Sequence, residues 1–156
     1  MSTAEASPSR FEPPVGVEGK AFWEATREGR LLVQWCTSCD RGVFYPRVFC
    51  PHCAAGAGAL EWRDASGRAT VYAAVVEHRP EAAGAKFSGG QPYCVALVDL
   101  EEGVRMLTNV VGCPPDDVHC GMAVGVTWEP LSDGRRLPLF EPVGGSDGRG
   151  DGGAAS

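Results

Sequence analysis

Cys36-Thr37-Ser38-Cys39-Asp40-Arg41-Gly42-Val43-Phe44-Tyr45-Pro46-Arg47-Val48-Phe49-Cys50-Pro51-His52-Cys53 decides the fold of this chain. Two Cys-x-x-Cys turns are separated by the ten residues Asp40 to Phe49. Each turn lets two thiolates converge on one ion, and a tight hairpin between them brings the two pairs together tetrahedrally. The alternative is two unrelated pairs of core or redox cysteines, but two such pairs flanking strand and turn sequence rarely coincide. Cys36, Cys39, Cys50 and Cys53 are therefore the expected ligands of one Zn²⁺ ion. Four cysteinates fill the coordination shell and leave no place for water or substrate, so the ion is structural rather than catalytic. His52, inside the second turn, is expected to be exposed or to donate to a thiolate, not to ligate.

Working outward, Leu31 to Trp35 reads as a strand entering the first cysteine pair, Val43 to Tyr45 as its return, and Leu60 to Trp62 as a third strand. Upstream, Ala21 and Phe22 lie four residues before Ala25 and Thr26, and Gly29 stands where a helix C-cap glycine belongs, which predicts a short helix within Val17 to Glu28. Downstream, Thr70 to His78, Tyr93 to Leu100 and Val104 to Val111 are β-rich, the last two joined across Glu101-Glu102-Gly103. Val124, Val126 and Trp128 alternate with Ala123, Gly125 and Thr127, the period of a half-buried strand. Ser132-Asp133-Gly134 then turns into Leu137 to Phe140. Five such strands, with a Cys113 to Cys120 connector between the third and fourth, fit a closed OB barrel, which removes exposed edges. The fold class is all-β: a rubredoxin-like zinc ribbon followed by a five-stranded OB-fold barrel, with a short N-terminal helix. The expected divisions are a flexible tail 1–16, helix and ribbon 17–64, barrel 65–143 and a disordered glycine-rich tail 144–156. Loss of the metal is expected to unfold the ribbon and spare much of the barrel.

The chain has 156 residues and a net charge of −6. Its apolar runs are far too short to cross a bilayer, and nothing at its start resembles a secretory signal, so a cytoplasmic location is expected. Seven cysteines then point to metal ligation or buried thiols rather than a disulfide framework. The acidity argues against a protein that coats nucleic acid, although an OB-fold single-stranded nucleic-acid-binding module is the rival reading.

Little else carries chemistry. Adjacent residues on extended chain point oppositely, so His119 and Cys120 need a special turn to act together. Cys94, Cys113 and Cys120 read more simply as ordinary thiols, although a thioesterase-like enzyme using Cys113 or Cys120 is a third reading. His78-Arg79 is either an anion contact or a solvated strand end. The Asp116-Asp117 and Glu101-Glu102 pairs lie in turn-like sequence, where acids are common without an acid-base role. No phosphate loop and no Ser-His-Asp set is present, so no catalytic residue is assigned.

Several pieces in order resemble a known family: Phe22-Trp23-Glu24, Arg27-Glu28-Gly29-Arg30-Leu31, the two cysteine turns with Tyr45-Pro46-Arg47 between them, Gly67-Arg68-Ala69-Thr70-Val71-Tyr72, Val76-Glu77-His78-Arg79, Pro92-Tyr93, Val98-Asp99-Leu100-Glu101-Glu102-Gly103, Gly121-Met122, and Leu137-Pro138-Leu139-Phe140. Together they resemble the DUF35 proteins, zinc-ribbon plus OB-fold subunits that accompany thiolase-like enzymes. The resemblance runs from about Lys20 to Pro142. It implies a non-catalytic accessory subunit that binds a separate thiolase or retro-aldolase chain, helps hold acyl-CoA, and serves steroid side-chain or other acyl-CoA degradation. Arg47, Arg79 and Lys86 are the candidates for the CoA phosphates, because each sits near a turn or loop. Phe22, Trp23, Phe44, Tyr45 and Phe49 either present an apolar patch to the partner or form a small core around the zinc site.

Overall fold

The computed structural model describes residues 12–78 and 89–144. Helix α1 is Lys20–Thr26, inside the window Val17 to Glu28 that the sequence marks out. It stops because Gly29 takes a left-handed conformation, φ 70°. The Gly29 N–H then reaches the Thr26 carbonyl at 3.0 Å and the Arg30 N–H reaches the Ala25 carbonyl at 3.1 Å, the paired bonds of a Schellman cap. The chain reverses there and enters the first sheet, whose strand order is β2-β1-β3, with β1 Leu32–Cys36, β2 Arg41–Val43 and β3 Leu60–Asp64. The expected return strand Val43 to Tyr45 is displaced: pairing ends at Gln34 opposite Val43, and Phe44 and Tyr45 leave the sheet. In place of continued pairing, the Gln34 side chain brackets the Arg47 backbone, donating from Nε2 to the Arg47 carbonyl at 3.0 Å and accepting its N–H at 2.7 Å.

Strands β4 Arg68–Glu77, β5 Tyr93–Leu100, β6 Arg105–Val110, β7 Ala123–Pro130 and β8 Arg136–Pro142 close into a barrel in the order β4-β5-β6-β8-β7. Strand β5 alternates half-buried and buried residues throughout, as period-two patterning requires. Gly67, at φ 79°, makes the turn into β4, and a Cβ there would stand 2.5 Å from Val126 Cγ1, so glycine is required on both counts. The closure is uneven. Strands β7 and β8 pair over seven residue positions, whereas the parallel β6–β8 seam has one registered pair, Val110 with Phe140. The Thr108 hydroxyl adds a bond to the Pro138 carbonyl at 3.2 Å, and Pro138 has no N–H to offer the seam. Beyond these bonds β6 and β8 part.

One core runs through both units. Phe22 of α1, Leu31 before β1 and Val33 of β1 belong to the same buried cluster as Val71, Val98, Met106, Val124 and Phe140 of the barrel. Close approach completes the junction. A Cβ on Gly42 of β2 would lie 2.6 Å from Val104 Cγ1 and 3.1 Å from the Glu102 carbonyl oxygen, so the β5–β6 turn rests directly on the ribbon backbone. The stretch before α1 is fastened too. Glu12 accepts the N–H and hydroxyl of Ser132 at 2.7 and 2.8 Å, and Arg135 donates to the Pro13 carbonyl at 2.8 Å. No helix among the described residues is long and apolar enough to cross a membrane.

Candidate metal centre and aromatic cleft

The two cysteine turns are built alike. The residue after each second cysteine, Asp40 and Ala54, has a positive φ, 55° and 60°, which folds the chain back so that both sulfurs of a turn face one point. Asp40 is held there by the Trp35 indole N–H at 2.9 Å, and the Ala54 N–H bonds to the Cys50 carbonyl at 2.9 Å. Strand pairing of Cys36 with Leu60 and with Arg41 positions the first turn. The four sulfurs of Cys36, Cys39, Cys50 and Cys53 consequently lie within 4.8 Å of one another. The Cys36–Cys53 and Cys39–Cys50 sulfur distances are both 3.7 Å. A tetrahedral zinc tetrathiolate, with Zn–S bonds of about 2.3 Å, has edges of about 3.8 Å, so the cluster matches a metal shell and is far too open for disulfides.

Electrostatics point the same way. Burial pushes the Cys36 thiol up, but the N–H groups of Cys39 and Ser38 and its neighbouring thiols outweigh it and bring Cys36 down to about 7. Cys39 is pushed up to about 12, first by burial and then by the thiols of Cys50, Cys36 and Cys53. One site in the cluster thus ionises readily at the expense of its neighbour. Four thiolates so close repel one another, and a divalent cation at their centre removes that repulsion. His52 does not join the set. Its backbone N–H donates to Cys50 Sγ at 3.4 Å, and its ring Nε2 lies 3.3 Å from the Gly42 carbonyl.

The other assigned residues separate. Around the cysteines the packing is Val43, Ala55, Ala59 and Leu60, so the aromatic residues do not form a core for the metal site. Phe22 is 5% exposed, belongs to the main core and backs the aromatic cleft. Trp23, Phe44 and Tyr45 instead gather over the gap between β6 and β8, with Phe22 behind them. Phe22 meets Trp23 edge-on at 5.2 Å and Phe44 at 5.8 Å, and Phe44 meets Tyr45 at 4.4 Å. Together with Met106, Leu107 and Leu137 they enclose an apolar cleft of about 220 Å³. Phe49 lies outside it, exposed beside Val48.

Arg47 lines a separate, open groove of about 500 Å³ between α1 and the ribbon. Lys20 shares that groove, but so do Glu18 and Glu24, whose charge offsets the attraction for phosphates. Arg79 and Lys86 fall outside the described residues. The cleft was missed from sequence because its walls come from segments a hundred residues apart. The one local signal is an aromatic pair, Phe44-Tyr45, running into Pro46, where extended pairing is unfavourable.

The remaining thiols and pairs are unremarkable. Cys94 is buried in β5, and burial raises its thiol and that of Cys113. His119 turns its Nδ1 to the Asp117 carbonyl at 3.0 Å. His78 lies 3.5 Å from Asp116, so the strand end is met by an acid. The Glu101 and Asp99 carboxyls are held below the usual range by hydrogen bonds from Arg68 and Arg105, which is surface pairing rather than acid-base machinery.

Comparison with known proteins agrees with this architecture. Residues 23–61 match the family model described as ChsH2, rubredoxin-like zinc ribbon domain, and residues 62–129 match ChsH2, C-terminal OB-fold domain. The chain is 37% identical over 143 residues to a probable enoyl-CoA hydratase alpha subunit of Thermomonospora curvata, covering 89% of this chain and 42% of that protein. It is 44% identical over 121 residues to the 3-oxo-4,17-pregnadiene-20-carboxyl-CoA hydratase alpha subunit of Mycobacterium tuberculosis, covering 72% of this chain and 34% of that protein. The chain therefore spans less than half the length of these two relatives. A DUF35 domain-containing scaffold protein of Methanocaldococcus jannaschii is 33% identical over 112 residues, with 71% of this chain and 77% of that protein covered. Among solved structures, a chain of the Ltp2-ChsH2(DUF35) aldolase superposes with a TM-score of 0.72 at 34% identity, over 84% of this chain and 98% of that one. The ribbon, the barrel and these relatives together make the chain a member of the DUF35 family.

Proposed function

We propose that this protein is a non-catalytic accessory subunit that binds a thiolase-like enzyme, a thiolase or a retro-aldolase acting on acyl-CoA, and that Cys36, Cys39, Cys50 and Cys53 hold a structural Zn²⁺ in it. One observation carries the reading: at 34% identity the chain covers 98% of a chain of the Ltp2-ChsH2(DUF35) aldolase. Support comes from the relatives named as scaffold proteins and from a cysteine set that leaves a metal no open position. Acyl-CoA is the proposed substrate of the complex, because the hydratase relatives carry CoA esters in their names. The pregnadiene-carboxyl-CoA name favours steroid side-chain degradation. Trp23, Phe44 and Tyr45 are the proposed partner contacts of the aromatic group, Arg47 a CoA contact, and the cytoplasm the proposed location.

The test is co-expression with a thiolase-like protein encoded beside this chain, followed by size exclusion and assay of acyl-CoA cleavage and condensation with and without it. Co-elution, with turnover only in the complex, is the expected result. A partner fully soluble and active alone, or turnover by this chain alone, would refute the proposal.

A further inference from the structure

We propose that the second cysteine turn is the side of the ribbon that opens to exchange the metal, and that the His52 ring is the latch that keeps it closed. The two turns are fastened differently. The first is gripped by the sheet: Cys36 ends β1 paired with both Leu60 and Arg41, the Thr37 N–H and hydroxyl donate to the Ala59 carbonyl at 2.8 and 3.2 Å, and the Trp35 indole holds Asp40. The second turn lies between β2 and β3, outside every strand. Its backbone bonds close on themselves, the Cys50 N–H reaching the Ala55 carbonyl at 2.8 Å and the Ala54 N–H the Cys50 carbonyl at 2.9 Å. Among the described residues, one hydrogen bond other than those of the sulfurs joins residues 50–55 to another element, from His52 Nε2 to the Gly42 carbonyl of β2 at 3.3 Å. A carbonyl only accepts, so that nitrogen carries the proton.

Exposure runs the same way. Cys36 and Cys50 are buried, Cys39 is half-buried and Cys53, next to His52, is exposed. Cys50 packs in one small cluster with Cys36 and Val43, so the part free to swing is residues 51–54. The latch catches on the strand that the barrel braces, because the Gly42 backbone lies against Val104 and the Glu102 carbonyl. A segment with few bonds of its own to the rest of the fold opens at lower cost than the sheet beside it. Opening therefore starts at this turn, and Cys53 is the first sulfur to leave. His52 is in this scheme a positioning residue for the second turn and not a ligand. The inference rests on the zinc reading of the four cysteines and adds to it the route by which the ion is exchanged.

The experiment is zinc transfer from the full chain to an excess of the chromophoric chelator pyridylazoresorcinol, after elemental analysis has fixed the zinc bound at the start. His52 is exposed, so its substitution leaves the core intact. His52→Ala should release zinc about fivefold faster than wild type, within the span of one net hydrogen bond. His52→Gln, whose side-chain amide carries an N–H at similar reach, should stay within about twofold of wild type. Thr37→Val, which removes a side-chain bond from the first turn instead, should also stay within about twofold. Cobalt-substituted His52→Ala should keep the tetrahedral tetrathiolate absorption of the wild type. Under limiting N-ethylmaleimide, peptide mass spectrometry should find Cys53 modified first among the four ligands. The latch is overturned if His52→Ala releases zinc at the wild-type rate, if His52→Gln or Thr37→Val is as fast as His52→Ala, or if the cobalt spectrum of His52→Ala changes. Modification of Cys36 or Cys50 ahead of Cys53 overturns the direction of opening. A chain that binds no zinc would instead overturn the reading of the site on which both stand.

Discussion

Removing the metal should unfold the barrel as well as the ribbon, although the spacing of the elements suggests two units of which the second survives. Take Cys50→Ser, at a cysteine with no exposed surface. Structural zinc contributes on the order of 10 kcal/mol to the folding of a small module, so losing one thiolate leaves a ribbon of three short strands without enough core to stand alone. That ribbon does not unfold by itself. Phe22, Leu31 and Val33 are 5%, 3% and 0% exposed and sit in the barrel's own cluster. Exposing three such side chains costs about 5–9 kcal/mol at roughly 1.5–3 kcal/mol each, an upper estimate because unfolded chains retain some burial. A loss of that size is comparable to the whole stability of an ordinary domain. The assay is thermal unfolding of wild type, wild type with chelator, and Cys50→Ser, following Trp35 of the ribbon and Trp128 of the barrel in single-tryptophan backgrounds. Both probes should report one transition that falls together on metal loss. If Trp128 keeps its original midpoint while Trp35 has melted, the shared-core argument is wrong and the units are independent.

Gly42→Ala should destabilise by about 1–3 kcal/mol, the usual cost of overpacking, because its Cβ would meet Val104 and the Glu102 carbonyl; a denaturant midpoint equal to wild type would contradict the close packing of ribbon on barrel. Ala54→Gly should stabilise the metal-bound protein by up to about 1 kcal/mol, since Ala54 sits at φ 60° where a Cβ costs roughly 1–2 kcal/mol, partly offset by glycine's greater unfolded-state entropy. Asp64 and Asp99 are held below the usual carboxylate range by hydrogen bonds from Arg30 and Arg105. A group lowered on folding contributes stability above its unfolded value of about 4 and loses it as pH falls through the folded value. Stability from these pairs should thus be flat from pH 6 to 8 and decline below about pH 4, modestly because both pairs are exposed, and Asp99→Asn should shrink that acid-side loss in pH-dependent melts. Mixed single-stranded oligonucleotides should show no micromolar binding by fluorescence anisotropy at physiological salt, as expected for a chain of net charge −6.

The features legible in the sequence are those fixed over short separations. Two Cys-x-x-Cys turns announce a metal site because each turn is complete within four residues. The half-buried strand Tyr93–Leu100 announces itself by alternation alone. The helix cap was legible at Gly29 for the same reason. Strand β2 was misread because Phe44 and Tyr45 have strong β character, yet no pattern within the hairpin shows that Gln34 will bracket the Arg47 backbone in place of further ladder bonds. The aromatic rings, assigned as a group, divide by their surroundings: Phe22 is drawn into the barrel core and backs the cleft, Trp23, Phe44 and Tyr45 form its more exposed wall, and Phe49 stays outside.

The cleft itself depends on topology. Tyr45 leaves the ribbon hairpin, yet its hydroxyl serves the Leu107 N–H across 62 positions of sequence. That bond satisfies a backbone donor on β6 where β8 has turned away, so one side chain does work that a continuous ladder does elsewhere in the barrel. The same departure opens the space between Leu107 and Leu137. The hydrogen bond and the cavity are therefore two consequences of one missing stretch of strand pairing. A variant that extended the β6–β8 ladder would close the cleft and leave Tyr45 without its backbone partner. Pro138 is the residue that stands against such an extension: Pro138→Val, by restoring an N–H on β8 that can donate to a β6 carbonyl, should narrow the cleft, measured as slow hydrogen exchange of the new amide at position 138. A fast-exchanging amide at position 138 in a folded Pro138→Val protein would show that the seam is held open by the overlying aromatic residues rather than by the proline.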